Sequence, residues 1–330
     1  MPGFQLYFPD QEGACLRRLC RYTRHRTGRR KNDITNDQPG FQPRLRGNII
    51  PAISSTLYAD RIAQMYYASA PREIRAGDAA RLRDFYIEQG AECMSHRDTG
   101  GLCRLLQQAA NDFNDRIDKE RSIPRIGIVG EIYVKYNASG NRHIIEWLIS
   151  QGVEPVVPSL IDFFLQYFPN LDQNRSNFLT ESSLTDWLGS AAYWWIRYYQ
   201  KKFDHKASSF AFHQPSEDIF TKSRKAKNII NLAAQYGEGW LIPAELVEFA
   251  ENGIHHAVSL QPFGCIANHL VSKGMERRIC SLYPDMNLLF LDLDSGASEA
   301  NMFNRLHFMI QSAKNTVLHK KSRLIVTIGG

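Results

Sequence analysis

A cysteine behind a glycine, between an apolar run and a helical pattern, is the sharpest chemical signal in this sequence. Gln261-Pro262-Phe263-Gly264-Cys265 separates HHAVSLQ from CIANHLVSKGMERRICSLY. Gly264 permits a tight turn, which places Cys265 at or near a helix N-terminus. The partial positive charge of such a terminus favours thiolate over thiol. Backbone N–H groups exposed there can also donate to sulfides. Residue type and position leave three chemistries open: a nucleophile, a cluster ligand and an inert thiol. The nucleophile has least support, because His269 is the only histidine locally placed to activate it.

Two more loops carry polar side chains. GEIYVKYNASGN offers Glu131, Lys135, Asn137 and Asn141, and DSGASEANMFNR offers Asp294, Ser295, Ser298, Glu299 and Asn301, with Asp292 just before it. A plain capping role competes with chemistry in the second of these. Ser295 or Ser298 can cap the following helix while Glu299 supports its first turn. The spacing does not match a calcium loop, and no G-x-x-x-x-G-K-S/T nucleotide loop occurs. The other cysteines carry weaker signals. Cys93, Cys103 and Cys280 fall in helical patterns where packing is expected, and Cys15 and Cys20 lie in a basic leader. No C-x-x-C pair is present, which argues against a zinc ribbon.

The elements that must position these loops alternate along the chain. GDAARLRDFYIEQGAECM and GLCRLLQQAANDFNDRI read as helices, the second with Leu102, Leu105, Leu106, Ala109, Phe113 and Ile117 on one stripe. PRIGIVGE is a short β-branched run, expected as a buried parallel strand near 125–130. Further strands are expected near 153–157, 255–260 and 287–292, with helices at NRHIIEWLISQG, RKAKNIINLAAQYGEG, PAELVEFAENG, CIANHLVSKGMERRICSLY and SEANMFNRLHFMIQSAKN. Residues 160–205 read as helical and aromatic, and Trp187, Tyr193, Trp194, Trp195, Tyr198, Tyr199 and Phe203 suggest a helix packed on both sides. This order predicts an α/β fold: a doubly wound, mostly parallel sheet with right-handed crossovers and an added helical N-terminal segment. The expected divisions are a disordered leader at 1–47, a helical segment at 48–122, a Rossmann-like α/β domain at 123–317 and a tail at 318–330. In such sheets ligands bind beyond the carboxyl ends of the strands, where all three loops fall.

Bulk properties narrow the classes. Hydrophobic residues make up 43% of the 330, enough for a packed core. The net charge of +6 comes from Arg17, Arg18, Arg21, Arg24, Arg26, Arg29, Arg30 and Lys31; without this run, Asp10 and Glu12 the body is formally neutral. A run so short, with few interleaved aromatics, does not argue for nucleic-acid binding. No apolar run approaches the ~18 residues that span a bilayer, and the first residues have no apolar signal core. A cytoplasmic protein without a membrane partner is expected.

Four ordered segments carry a resemblance. RIGIVGEIYVKYNASGN, NLAAQYGEGW, VSLQPFGCIANHLVSKGMERRI and YPDMNLLFLDLDSGASEANMFNRL are similar to segments of the 2-hydroxyacyl-CoA dehydratase family. The chain resembles the dehydratase-like C-terminal region of its activase-type members, over roughly residues 48–317. The resemblance implies an iron–sulfur subunit or domain in low-potential electron transfer for reductive dehydration. It implies Cys265 as a ligand of a 4Fe-4S cluster, with Phe263, Gly264, Asn268, Glu131, Asn137, Ser295 and Glu299 beside the cofactor. The family's actin-like ATPase domain and cysteine-bearing upstream domains are not recognisable here. The other ligands are therefore expected from outside this chain, from subunits or domains of the dehydratase/activase complex, and acyl-CoA is a possible further partner. Independent activity is not expected; the alternative is a non-catalytic assembly module or truncated remnant that docks on a cluster-bearing partner, the module through its aromatic helix.

Overall fold

The computed structural model describes residues 46–180, 186–294, 296 and 298–328. The basic leader with Cys15 and Cys20, and also Ser295, lie outside them.

Three helices precede the sheet: α1 (Arg46–Ser69), α2 (Asp78–Ser95) and α3 (Thr99–Asn114). The reason for α3 is visible in its residues. Asp98 caps it by accepting from the Gly101 N–H at 2.7 Å. Leu102, Leu106, Ala109 and Phe113, three or four residues apart, are fully buried against the rest of the core. The same apolar core continues from Leu57 and Ile62 of α1 into the sheet.

The α/β part begins with β1 (Arg125–Gly130), followed by α4 (Ile132–Tyr136), α5 (Ile144–Ser150) and β2 (Glu154–Val156). Then come α6 (Leu160–Leu165), α7 (Tyr167–Ser176), α8 (Asp186–Ala207), α9 (Ile219–Ala226) and α10 (Leu241–Glu251). The chain returns as β3 (His256–Gln261), a helical run ending in α11 (Glu276–Leu282), β4 (Asn287–Asp292) and α12 (Glu299–Ile328). The four strands pair in the order β2-β1-β3-β4, every pairing parallel. Ile126, Ile128 and Leu260 pack on one face with Ile144 and Leu148 of α5 and Leu306 and Ile310 of α12. Val129 and Ala257 pack on the other with Ile242 and Leu246 of α10 and Ile279 of α11. Helices therefore cover both faces, as a doubly wound sheet requires. The topological switch point, where the chain reverses direction across the sheet, falls between β1 and β3.

Glycine sets the closest approaches. A Cβ on Gly127 would strike the Phe249 ring, and one on Gly130 would overlap the main chain of Leu260. Gly130 also has φ +130°, a region that side chains rarely enter. Pro155 costs the sheet little, because β2 is an edge strand.

Several sequence expectations need correction. The helix expected over RKAKNIINLAAQYGEG is instead α9, which starts earlier because Asp218 accepts from the Phe220 and Thr221 N–H groups. Beyond Ala226 the chain turns: Asn231 Oδ1 takes the Ala233 N–H, and Gly237 adopts φ +56°. The helix expected after β3 is continuous but irregular, with a π-helical segment at Ala267–Ser272 and a 3-10 turn at Lys273–Met275. α8 is packed on one side only. Tyr193 and Phe203 are buried, but Trp194 and Tyr198 are more than 60% exposed. The tail is not separate: α12 runs on through it to Ile328.

Behind the sheet's carboxyl edge lies an ionic compartment. Lys222 reaches Asp162 and Glu248, each at 2.7 Å, and both Lys222 and Asp162 have side chains 3% exposed. Burial alone would lower the lysine pKa, but the carboxylates of Asp162 and Glu248 raise it above the ordinary value. Removing one partner of such a pair strands a buried charge. Lys222→Met is expected to cost about 3–5 kcal/mol of stability in a urea titration.

Candidate functional site

The loop after β3 places Cys265 where the strand ends at the switch point. The turn is closed by the Cys265 N–H donating to Pro262 O at 3.3 Å, with Gly264 at φ +73°. Cys265 O then accepts from the His269 N–H at 2.9 Å, the first bond of the helical run. Cys265 therefore sits at the run's N-terminal boundary, partly accessible. Asn268, one turn on and fully buried, donates through Nδ2 to Cys265 Sγ at 3.1 Å. Gln261, also fully buried, donates through Nε2 to Asn268 O at 3.3 Å. The remaining amide oxygens, Asn268 Oδ1 and Gln261 Oε1, have no hydrogen-bond partner among the described residues. Unmet acceptors of this kind are costly to bury and are met by ordered water or a bound group. The π-helical turn at Ala267–Ser272 brings Asn268 under the sulfur, and such π-turns are frequent at functional sites.

The same loop and helical run carry exposed apolar side chains: Phe263 (84% exposed), Leu270 (69%) and Ile266 (51%). His269 does not activate the sulfur. Its Nε2 lies 3.2 Å from Pro262 O and its Nδ1 3.9 Å from Asp292.

The first loop contributes less than its sequence suggests. It contains the short helix α4, whose N-cap is Glu131, with Oε2 accepting from the Val134 N–H at 3.1 Å. Asn137 Oδ1 takes the Gly140 N–H at 3.0 Å. Both residues are partly exposed at the carboxyl edge, but one oxygen of each serves the backbone. Lys135 does not line the cleft: its side chain is 3% exposed and its Nζ lies 3.1 Å from Glu245 Oε1. Asn141 is fully buried and its Oδ1 caps α5 at the Ile144 N–H.

In the third loop, the capping reading holds for Ser298, whose Oγ accepts from the Asn301 N–H at 3.4 Å. Asp294 Oδ1 takes the Gly296 N–H at 2.8 Å. Glu299 opens α12, exposed, 3.5 Å from Arg142. Arg142 also donates to Asp294 O at 2.7 Å, and so ties the first loop to the third. Arg142 and His143 both have positive φ, 55° and 57°, an uncommon pair of left-handed non-glycine residues. Only the preceding Ser139-Gly140-Asn141 hints at this turn in the sequence. Glu238 was a second unforeseen participant. Its Oε1 takes the Ile132 N–H at 2.6 Å and pins the start of α4. Burial raises its carboxyl pKa above the usual value.

No family model, curated protein or solved structure matches the chain. The functional reading therefore rests on the site itself and on the sequence motifs.

Cys265 fits one role in a metal–thiolate site: an accessible sulfur that already receives an N–H donor. The described residues do not complete a ligand set, since among them no group of three or more His, Cys, Asp or Glu could hold a metal ion. The other described cysteines lie within helices. Burial raises the thiol pKa of Cys93, Cys103 and Cys280, and Cys103 is buried outright. Thiolates, not thiols, react with alkylating reagents. At neutral pH iodoacetamide is expected to label Cys265 fastest of these four. Peptide mass spectrometry over a time course checks the order, and faster labelling of Cys93 or Cys280 would contradict it.

Proposed function

We propose that this chain is an iron–sulfur subunit or domain of a 2-hydroxyacyl-CoA dehydratase/activase system. The observation that carries the reading is Cys265 in its Pro-Phe-Gly-Cys loop at the switch point, with Asn268 Nδ2 at 3.1 Å from the sulfur. An amide N–H directed at a sulfur stabilises its anionic form, which is the form that ligates metal. When bound, a 4Fe-4S cluster would supply a one-electron carrier whose potential responds to hydrogen bonds at its sulfurs and to solvent access. In this reading Cys265 holds one position, Asn268 orients and stabilises the sulfur, and Gly264 gives the loop its turn. The unmet oxygens of Asn268 and Gln261 accept donors from whatever completes the site. Phe263, Ile266 and Leu270 would be covered by the subunit or domain that brings the other ligands, excluding water from the sulfur. Exposed apolar groups gathered at one place mark such contacts.

The reading makes the chain a cytoplasmic electron-transfer component, with acyl-CoA reached through the assembled complex. Among the described residues no helix is long and apolar enough to cross a membrane. A second reading, a non-catalytic assembly module, draws on Trp194 and Tyr198, large aromatic side chains exposed on α8. Size-exclusion chromatography with the candidate partner, comparing wild type with a Trp194→Ser/Tyr198→Ser variant, tests it. Complex formation unaffected by the double substitution counts against docking through α8.

For the first reading, Cys265→Ser in the anaerobically reconstituted complex is expected to lose iron and the cluster's paramagnetic signal while keeping a native circular dichroism spectrum. Cys280→Ser should keep both, because Cys280 sits late on α11 with its sulfur turned to Met286 O at 3.8 Å. Full iron occupancy in the Cys265 variant would overturn the assignment.

A further inference from the structure

Behind the first loop, four carboxylates share a nearly dry compartment with two ammonium groups. Lys135 of α4 pairs with Glu245 of α10, Nζ to Oε1 at 3.1 Å, with side chains 3% and 1% exposed. Lys222 of α9 lies between Asp162 of α6 and Glu248 of α10. Asp60 of α1 accepts the Ser159 hydroxyl and interacts electrostatically with Asp162, which acts on Glu245 in turn. The groups therefore form one electrostatic unit. Those facing Glu245 are Lys135, Lys222, Asp162 and the buried Tyr136; those facing Asp60 are Ser159, Arg61, Asp162 and again Tyr136. Arg61 is itself engaged by Asp204 at 2.7 Å.

If every acid were ionised, Asp60, Asp162, Glu245 and Glu248 would set four negative charges against Lys135 and Lys222. A buried excess charge is expensive, and such a group takes up a proton instead of staying ionised. Of the four, Asp60 and Glu248 retain some contact with solvent, and Glu248 is directly paired.

We propose that this compartment is a proton-binding site: a carboxylate oxygen of Glu245, and at lower pH one of Asp60, takes a proton from solvent while both lysines stay charged. Burial is the leading influence on each, pushing Glu245 up to about 7 and Asp60 up to about 6. The site also reaches the cleft. α4 is five residues long, begins at the Glu131 cap and is held to α10 by Lys135. The bond that anchors the cleft's first loop thus changes from charge-assisted and fully ionic to ion–neutral as Glu245 is protonated. This inference does not depend on the iron–sulfur reading, because none of these groups touches Cys265.

The sign for stability follows from linkage. Both folded-state values lie above those of the unfolded chain, about 4.3 for Glu and 3.9 for Asp. The folded state therefore binds protons more tightly, and stability falls as the pH rises from about 4 to about 7, then levels. The direct test is infrared spectroscopy of the full chain at about pH 6 and about pH 8, where ordinary exposed carboxyl groups are largely ionised. A protonated-carboxyl carbonyl band is expected at the lower pH, lost at the higher pH, and strongly reduced in Glu245→Gln. Carbon-13 labelling of glutamate in the wild type should shift the band, and Glu238→Gln, which removes the other glutamate that burial raises, should keep it; together they hold the test even if the Glu245 variant does not fold. Absence of the band in the wild type, or a band no part of which moves on glutamate labelling, would overturn the proposal; an unshifted remainder at about pH 6 is the share of Asp60.

Discussion

The approach of β1 to β3 at Gly130 is the constraint on which the cleft depends. With no side chain and φ +130°, Gly130 lets the end of β1 lie against the Leu260 main chain. The next residue then continues the pairing, as the Glu131 N–H donates to Leu260 O at 3.2 Å. Both loops leave the sheet from this one place, α4 from β1 and the Cys265 turn from β3. A larger residue at Gly130 would force the two strand ends apart and separate the cleft's two sides. The crossing of the chain to opposite edges of the sheet does the rest, because it opens the crevice that such folds use for ligands.

The parallel sheet was legible because its strands are short, apolar and β-branched and are followed by helical patterns. All four expected strands lie within a residue or so of their observed positions. Helix boundaries set by local side-chain bonds were harder to read. α9 starts behind its cap Asp218, and the turn beyond Ala226 includes Asn231, because those two side chains bond neighbouring N–H groups, an effect that apolar periodicity does not register. The π-helical turn after β3 is likewise invisible to a 3.6-residue pattern, since it changes backbone pairing without changing composition. α8 misled for a different reason. Aromatic residues around a helix suggest burial on both sides, yet Trp194 and Tyr198 face outward while Tyr193 and Phe203 face the core.

At the site, position in the fold could be read but the duty of each side chain could not. Gly264 and Cys265 announced themselves through residue type at a strand-to-helix junction. Lys135 looked like a cleft residue because it lies in the loop after β1, but the five-residue helix rotates it inward onto Glu245, more than a hundred positions away. Glu131, Asn137 and Ser298 are polar residues near a strand end that serve the backbone first. Their spacing is compatible with either duty, and only the hydrogen bonds distinguish them. Ser295 lies outside the described residues.

The thiol and the ionic compartment make opposite electrostatic demands. A thiolate at Cys265 needs donors and water exclusion close by, and Asn268 with the apolar rim can meet part of that need. The compartment must keep its own excess charge from reaching the cleft, or an anion at the sulfur would meet additional repulsion through a low-dielectric interior. Proton uptake by Glu245 reduces that excess where α10 faces α4. Pairing the remaining charges within the compartment makes the field fall off more steeply with distance than that of an unpaired charge. The two sites therefore coexist without touching: Cys265 lies in the loop after β3, and the compartment behind α4 sheds its surplus charge to a proton.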